Sequence, residues 1–220
     1  MRTFVYIDGF NLYYNVFRGE RNNVFRGERN KEHRKYKWLD LESFTKNVLE
    51  KKYKKNKILS TKYYTAHVSG AQDQTKPHRQ NAYLRALELH SYNLEIVYGK
   101  FLIDEAYRPR VDSEELVKVY LPEEKGSDVN LAVHMVYEAT QDQYDVALVL
   151  TNDTDMSEAF RIVSTELEKT LILVQPKHVK TAKSLSQFCF DILKFESEDL
   201  VSNQLPDTIG PKIRRPEEWK

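Results

Sequence analysis

Residues 4–14 read FVYIDGFNLYY, an apolar run that ends in one acid, Asp8, and passes at once to Gly9, an aromatic and Asn11. β-Branched and aromatic residues without polar alternation predict a strand buried on both faces. The Gly-aromatic-Asn that follows predicts a turn. In a parallel α/β sheet, ligands bind beyond the carboxyl ends of the strands, where the strand order reverses. A strand of this kind therefore delivers Asp8 to the edge where such folds do their chemistry.

The same pattern recurs in VALVLTNDTD (146–155), a second apolar strand that ends in Thr151, Asn152, Asp153, Thr154 and Asp155. Between and around the two runs, helical and strand periodicities alternate. A helix is expected over 38–53, with Leu41, Phe44, Val48 and Leu49 at helical spacing and Asp40 as its cap. A strand (58–68), turn chemistry in SGAQDQTKP, a helix (81–90) and a strand (94–102) follow. Residues 103–128 read as an irregular, extended excursion. A helix (129–140), a strand (144–151), a helix (156–168) and a strand (170–176) complete the order. Strands buried on both faces and alternating with helices predict an α/β fold, three layers deep, around a mainly parallel central sheet.

A chain of 220 residues suits one such domain, expected over 1–200, with 201–220 as an extended C-terminal tail onto which Trp219 could dock. Its composition, 40% hydrophobic and 12% aromatic, is that of a folded protein. No apolar run approaches the roughly 20 residues that span a bilayer, so a soluble, cytoplasmic protein is expected. The lone Cys189 lies in the apolar stretch SLSQFCFDIL and reads as a buried thiol. The six histidines show no zinc-ligand spacing.

Net charge is only +1, yet residues 1–57 hold fifteen Lys/Arg against seven Asp/Glu, leaving the remainder acidic. A basic lobe beside an acidic one suits a protein that gathers a polyanion and binds a cation. Residues 15–22 and 23–30 are the same octet, NVFRGERN. A perfect copy this short reads as a tandem duplication in a charged loop or arm, expected over 15–37.

Asp128, in EEKGSDVNLAVHMV, stands just ahead of a helical stripe. It and Asp155 are each explained as helix caps, whereas Asp8 and Asp153 are harder to account for in that way. Carboxylates crowded at one sheet edge repel one another and raise their own pKa values unless a cation sits among them. Hard oxygen donors of this kind favour Mg²⁺ or Mn²⁺.

YIDGFNLYY, EEKGSDVNLAVHMV, ALVLTNDTDMSEAFRIV and NQLPDTIGPKIRRPEEW, in that order along nearly the whole chain, resemble the NYN domain family, a branch of the PIN-like nucleases. The duplicated octet departs from the family pattern, which passes from the first motif to the WLDL helix by a shorter segment. The resemblance implies a Rossmann-like PIN fold and a metal-dependent endoribonuclease. On it, Asp8, Asp128, Asp153 and Asp155 hold Mg²⁺ or Mn²⁺, and Asn11 holds a water or the scissile phosphate. Lys125 steadies the phosphate or orients Asp128, Thr151 and Asn152 support the acids, and Glu124 is a weaker ligand candidate. Water attack would leave 5'-phosphate and 3'-hydroxyl ends. RNA contacts are expected from Tyr13, Arg18, Arg26, Lys51, Lys52, Lys54 and Lys55, with packing in the first helix as the other reading of Tyr13. PIN-like domains often dimerise, so a homodimer is a further expectation. The competing readings are an RNA-binding protein without turnover and a different metal-dependent phosphohydrolase; retention of four aspartates speaks against the first, and Phe10 against an aspartyl-nucleophile phosphatase.

Overall fold

The computed structural model describes residues 1–17, 31–70 and 73–220. In chain order its strands are β1 (Arg2–Asp8), β2 (Lys57–Thr65), β3 (Leu94–Tyr98), β4 (Lys100–Pro109), β5 (Leu116–Lys125), β6 (Val146–Leu150), β7 (Thr170–Pro176), β8 (Asp191–Phe195), β9 (Thr208–Ile209) and β10 (Ile213–Arg214). The helices are α1 (Gly9–Leu12), α2 (Lys31–Arg34), α3 (Leu41–Glu50), α4 (Lys76–His90), α5 (Ser127–Thr140), α6 (Ser157–Arg161), α7 (Lys183–Ser186) and α8 (Ser197–Val201).

The stretch that opens the chain becomes the third strand of a six-stranded sheet ordered β3-β2-β1-β6-β7-β8, in which every pairing is parallel. From β1 the chain builds outward to β2 and β3 on one side, then returns to lay β6, β7 and β8 on the other. The strand order therefore reverses between β1 and β6. Alternate residues of β1 enter different cores: Val5 and Ile7 pack with α3, α4 and the C-terminal segment, while Tyr6 packs with α5 and α6. Burial on both faces is the physical reason that the run lacks polar alternation.

Asp40 caps α3 as the sequence suggests, its Oδ1 accepting from the backbone N–H groups of Glu42 and Ser43 at 3.1 Å each. Other boundaries differ. The strand expected over 94–102 breaks at Gly99, where a Cβ would lie 2.9 Å from the Lys125 carbonyl and 3.0 Å from the Ser127 nitrogen. Residues expected to be irregular form instead a two-stranded antiparallel ribbon, β4–β5, in register from Lys100↔Lys125 to Pro109↔Leu116. It packs chiefly on itself, so its pairing leaves no buried stripe in the sequence to read. The helix expected over 156–168 passes from α6 into a wider π-turn over Ile162–Glu166. β8 adds a strand that the sequence reading omitted.

The expected extended tail is folded onto the domain. Leu205, Ile209, Ile213 and Trp219 are buried, and the Trp219 ring centroid lies 6.3 Å from that of Trp38 and 6.2 Å from that of Tyr83. Trp38 Nε1 donates to the Pro206 carbonyl at 2.9 Å. Large aromatics on α4 and ahead of α3 are covered by residues 201–220, with Trp219 docked as the sequence allows. No helix among the described residues is long and apolar enough to cross a membrane.

Trp219→Ala should therefore destabilise the whole fold by about 3 kcal/mol. A shift of the urea midpoint of that size checks it; an unchanged midpoint would mean that the tail packs without contributing stability.

Candidate active site

Parallel pairing sets Ile7 against Leu150, so the residues that follow, Asp8 and Thr151, come level at the point of strand reversal. Asp8 ends β1 and caps α1: its Oδ1 accepts from the Asn11 backbone N–H at 2.8 Å, and its Oδ2 accepts from the Thr151 hydroxyl at 2.8 Å. The Thr151 Oγ1 in turn accepts from the Asp153 backbone N–H at 3.1 Å. Gly9 allows this arrangement, because a Cβ there would stand 2.6 Å from the Tyr64 carbonyl oxygen and 2.8 Å from the Tyr63 ring. The turn into α1 can thus lie directly on β2.

Asp8 is only 4% exposed. Burial pushes its pKa up to about 7, the negative charges of Asp128 and Asp153 add to the rise, and the bonds from Asn11 and Thr151 oppose it. Asp128 is half-buried in the first turn of α5 and is also raised, by burial and then by Asp153, Glu124 and Asp155. Asp153 is half-buried and caps a 3₁₀ turn, its Oδ1 accepting from the Asp155 N–H at 3.1 Å; Asp155 is exposed. The expected capping role of Asp128 falls to another residue. Gly126, at φ +94°, starts α5, and Glu124 Oε1 accepts from the Ser127 N–H at 3.0 Å. The carboxylate of Asp128 is thereby left to face the other acids, which act on one another by charge. Among the described residues no three His, Cys, Asp or Glu side chains already stand as a closed metal-binding set.

Asn11, one turn on from Asp8, lines a narrow and largely apolar cleft with Leu12, Val16, Thr151, Val174 and Gln175, which no carboxylate lines. Its Oδ1 accepts from Asn15 Nδ2 at 2.6 Å. Asn152 faces away from the carboxylates: its Oδ1 accepts from Gln175 Nε2 at 2.7 Å and from the Ala182 N–H at 3.1 Å. Gln175 was missed by sequence reasoning. It is 1% exposed, donates to the Thr151 carbonyl at 3.1 Å, and accepts from the Thr181 hydroxyl at 2.7 Å. It therefore fixes the turn that carries Thr151 and Asp153. The available signal was a lone polar residue in the apolar run TLILVQP.

Among the described residues, the lysines expected to contact RNA are not brought together with the acids. Lys51 and Lys52 pair with Asp199 and Asp191. Lys55 accepts from the Met1 amino group through its carbonyl, at 3.3 Å, so Lys51, Lys52, Lys54 and Lys55 stand at the amino edge of the sheet. At about 3.3 Å per residue, β1 separates that edge from Asp8 by roughly 20 Å. Tyr13 packs in the first helical segment, 5.6 Å from Tyr14 and 6.3 Å from Phe17 between ring centroids, with Lys37 Nζ 4.9 Å from its own. Arg18 and Arg26, with most of the duplicated octet, lie outside the described residues. Lys125 is exposed where β5 ends, at the rim beside Asp128. Cys189, expected to be buried, is half-buried, and burial pushes its thiol up to about 12.

A family model of the NYN domain matches residues 2–196. A 28% identical relative, the 6-hydroxy-3-succinoylpyridine 3-monooxygenase HspA of Pseudomonas putida, aligns over 254 residues, covering all of this chain and 75% of that protein. Among solved structures, a protein of unknown function from Vibrio parahaemolyticus superposes with a TM-score of 0.51 at 14% identity, covering 90% of this chain and 94% of that one. The structural likeness extends to the fold.

The buried carboxyl leaves a signature in stability. The unfolded chain releases the Asp8 proton near 3.8, the folded one near 7. Between those values the native state binds the extra proton, so this group's contribution falls as pH rises from about 4 to about 7. Asp8→Asn should remove that fall and raise metal-free stability at pH 8 by about 2–4 kcal/mol relative to the parent. Urea melts of both chains from pH 4 to pH 8 check it; parallel pH curves would show that Asp8 is ionised without cost.

Proposed function

The chain belongs to the NYN domain family of PIN-like nucleases, and on that premise we propose that it is a metal-dependent endoribonuclease. The observation that carries the reading is Asp8: a carboxylate buried at the strand reversal, whose strongest charged neighbours are the carboxylates Asp128 and Asp153. Such a group is stable as an anion only beside a positive charge. The donor set is made of hard oxygens, which fits Mg²⁺ or Mn²⁺. Asp8, Asp128 and Asp153 would hold the ion, with Asp155 and Glu124 reaching it through water. Asp128, Asp153 and Asp155 are half-buried or exposed, and their side chains can turn to close the set.

When bound, such a cation lowers the pKa of water and offsets charge at phosphorus. The chain's own groups do the rest. Thr151 and the Asn11 N–H each occupy one lone-pair direction of Asp8 and so fix how its carboxylate is presented. Asn11, one turn on from Asp8, offers a carboxamide for a phosphate oxygen. Lys125 brings a cation to the rim, where it can meet the phosphate. A water attacks phosphorus in line, the 3'-oxygen departs, and the ends left are a 5'-phosphate and a 3'-hydroxyl.

Purified protein should cut an RNA pool with Mg²⁺ or Mn²⁺ and not with EDTA, leaving 5'-phosphate ends. Asp8→Asn and Asp153→Asn should each lower the rate by more than about a hundredfold, since even outer-shell partners of metal ligands are worth 10- to 100-fold. Cyclic 2',3'-phosphate ends would sink the mechanism. Oxygen consumption with a hydroxypyridine, in the absence of RNA cleavage, would move the chain to the activity named for the Pseudomonas relative.

A further inference from the structure

Outside the acid cluster, a second feature stands at the same sheet edge. His67 and Tyr98 are stacked, ring centroids 4.6 Å apart and planes 14° from parallel, and both are exposed, Tyr98 to 39%. We propose that this pair is a stacking site for an unpaired nucleobase of the substrate strand. The proposal rests on the ribonuclease reading and narrows its substrate to single-stranded RNA or unpaired loops.

Position carries the argument first. Tyr98 is the last residue of β3 and His67 follows the end of β2, so both lie at the carboxyl edge that carries Asp8. Asp8 is level with Tyr64, and Thr65 with Tyr98. Tyr98 thus stands two strands across from Asp8, about 10 Å at the usual strand spacing, and one residue further out; by strand alternation it belongs to the α4 face of the sheet and Asp8 to the α5 face. A strand that reaches both crosses the carboxyl edge between them. Tyr63 is 8% exposed and lies against Gly9 beside Asp8.

Rigidity and chemistry point the same way. The Gly99 N–H donates to the Thr65 carbonyl at 2.8 Å, which fixes the backbone that carries the Tyr98 ring. Each ring covers one face of the other, and both residues remain exposed to solvent. Tyr and His are among the side chains on which splayed bases stack, and the contact tolerates any base because every base has a π face. A duplex, whose bases are already stacked on one another, cannot use the site.

The test is a single-stranded RNA carrying 2-aminopurine at successive positions, titrated in EDTA so that binding is read without cleavage. Fluorescence should be quenched at one position with the parent chain. Tyr98→Ala and the surface change His67→Ala should abolish that quenching and weaken Kd about 5- to 100-fold, while Tyr98→Phe, which keeps the ring, retains both. Thermal melts confirm that the variants are folded. Equal Kd and equal quenching in parent and alanine variants would overturn the stacking site and leave the RNA reading standing. No binding and no metal-dependent cleavage by the parent would overturn both.

Discussion

Two hydrogen bonds hold the Asp8 carboxyl where burial and like charge both oppose its ionisation. The donors arrive from different parts of the chain, one from the first turn of α1 and one from the end of β6. Their meeting depends on the parallel register of β1 and β6, and that register depends on a core filled from both faces of β1. Behind the second donor stands Gln175, which braces the Thr151 carbonyl and the Asn152 side chain from β7. Three adjacent strands therefore converge on the presentation of one acid. The sheet order places them side by side at the only kind of edge where an α/β fold leaves side chains uncovered between helices.

How much of this was legible follows from the range of the interactions involved. The strands β1 and β6 were readable because burial on both faces writes itself into consecutive residues. The acids were readable because each follows such a run, or opens a helix. Interactions set by tertiary register left no such trace. Glu124, rather than Asp128, satisfies the start of α5, and only the left-handed backbone at Gly126 explains why. The ribbon β4–β5 pairs with itself and so shows no buried stripe. The last twenty residues look polar and Pro-rich, yet a few apolar side chains, Leu205, Ile209, Ile213 and Trp219, suffice to cover Trp38 and Tyr83. His67 and Tyr98 are more than thirty positions apart and become a pair only through the β2–β3 ladder.

The basic surplus of residues 1–57 shows how a linear charge count misleads about a surface. Lys51 and Lys52 end α3 and reach Asp199 and Asp191, so part of that surplus ties α3 to α8 and β8. Ion pairs of this exposure contribute little stability each, but they neutralise charge at the amino edge. The carboxyl edge is different in sign: Asp8, Glu124, Asp128, Asp153 and Asp155 act on one another there as like charges.

A polyanion approaching that edge meets this group of carboxylates, with Lys125 at its rim. Coulomb repulsion at such short range is worth kcal/mol per pair even in a surface dielectric, so a phosphate settles over Asp8 more tightly when positive charge lies between them. On the proposed reading the cation is therefore part of the binding surface as well as of the chemistry. Attachment that does not depend on charge has particular value beside such a site. A base stacked on His67 and Tyr98 would anchor the strand through its rings at the same sheet edge and leave the phosphate to the cation, Asn11 and Lys125.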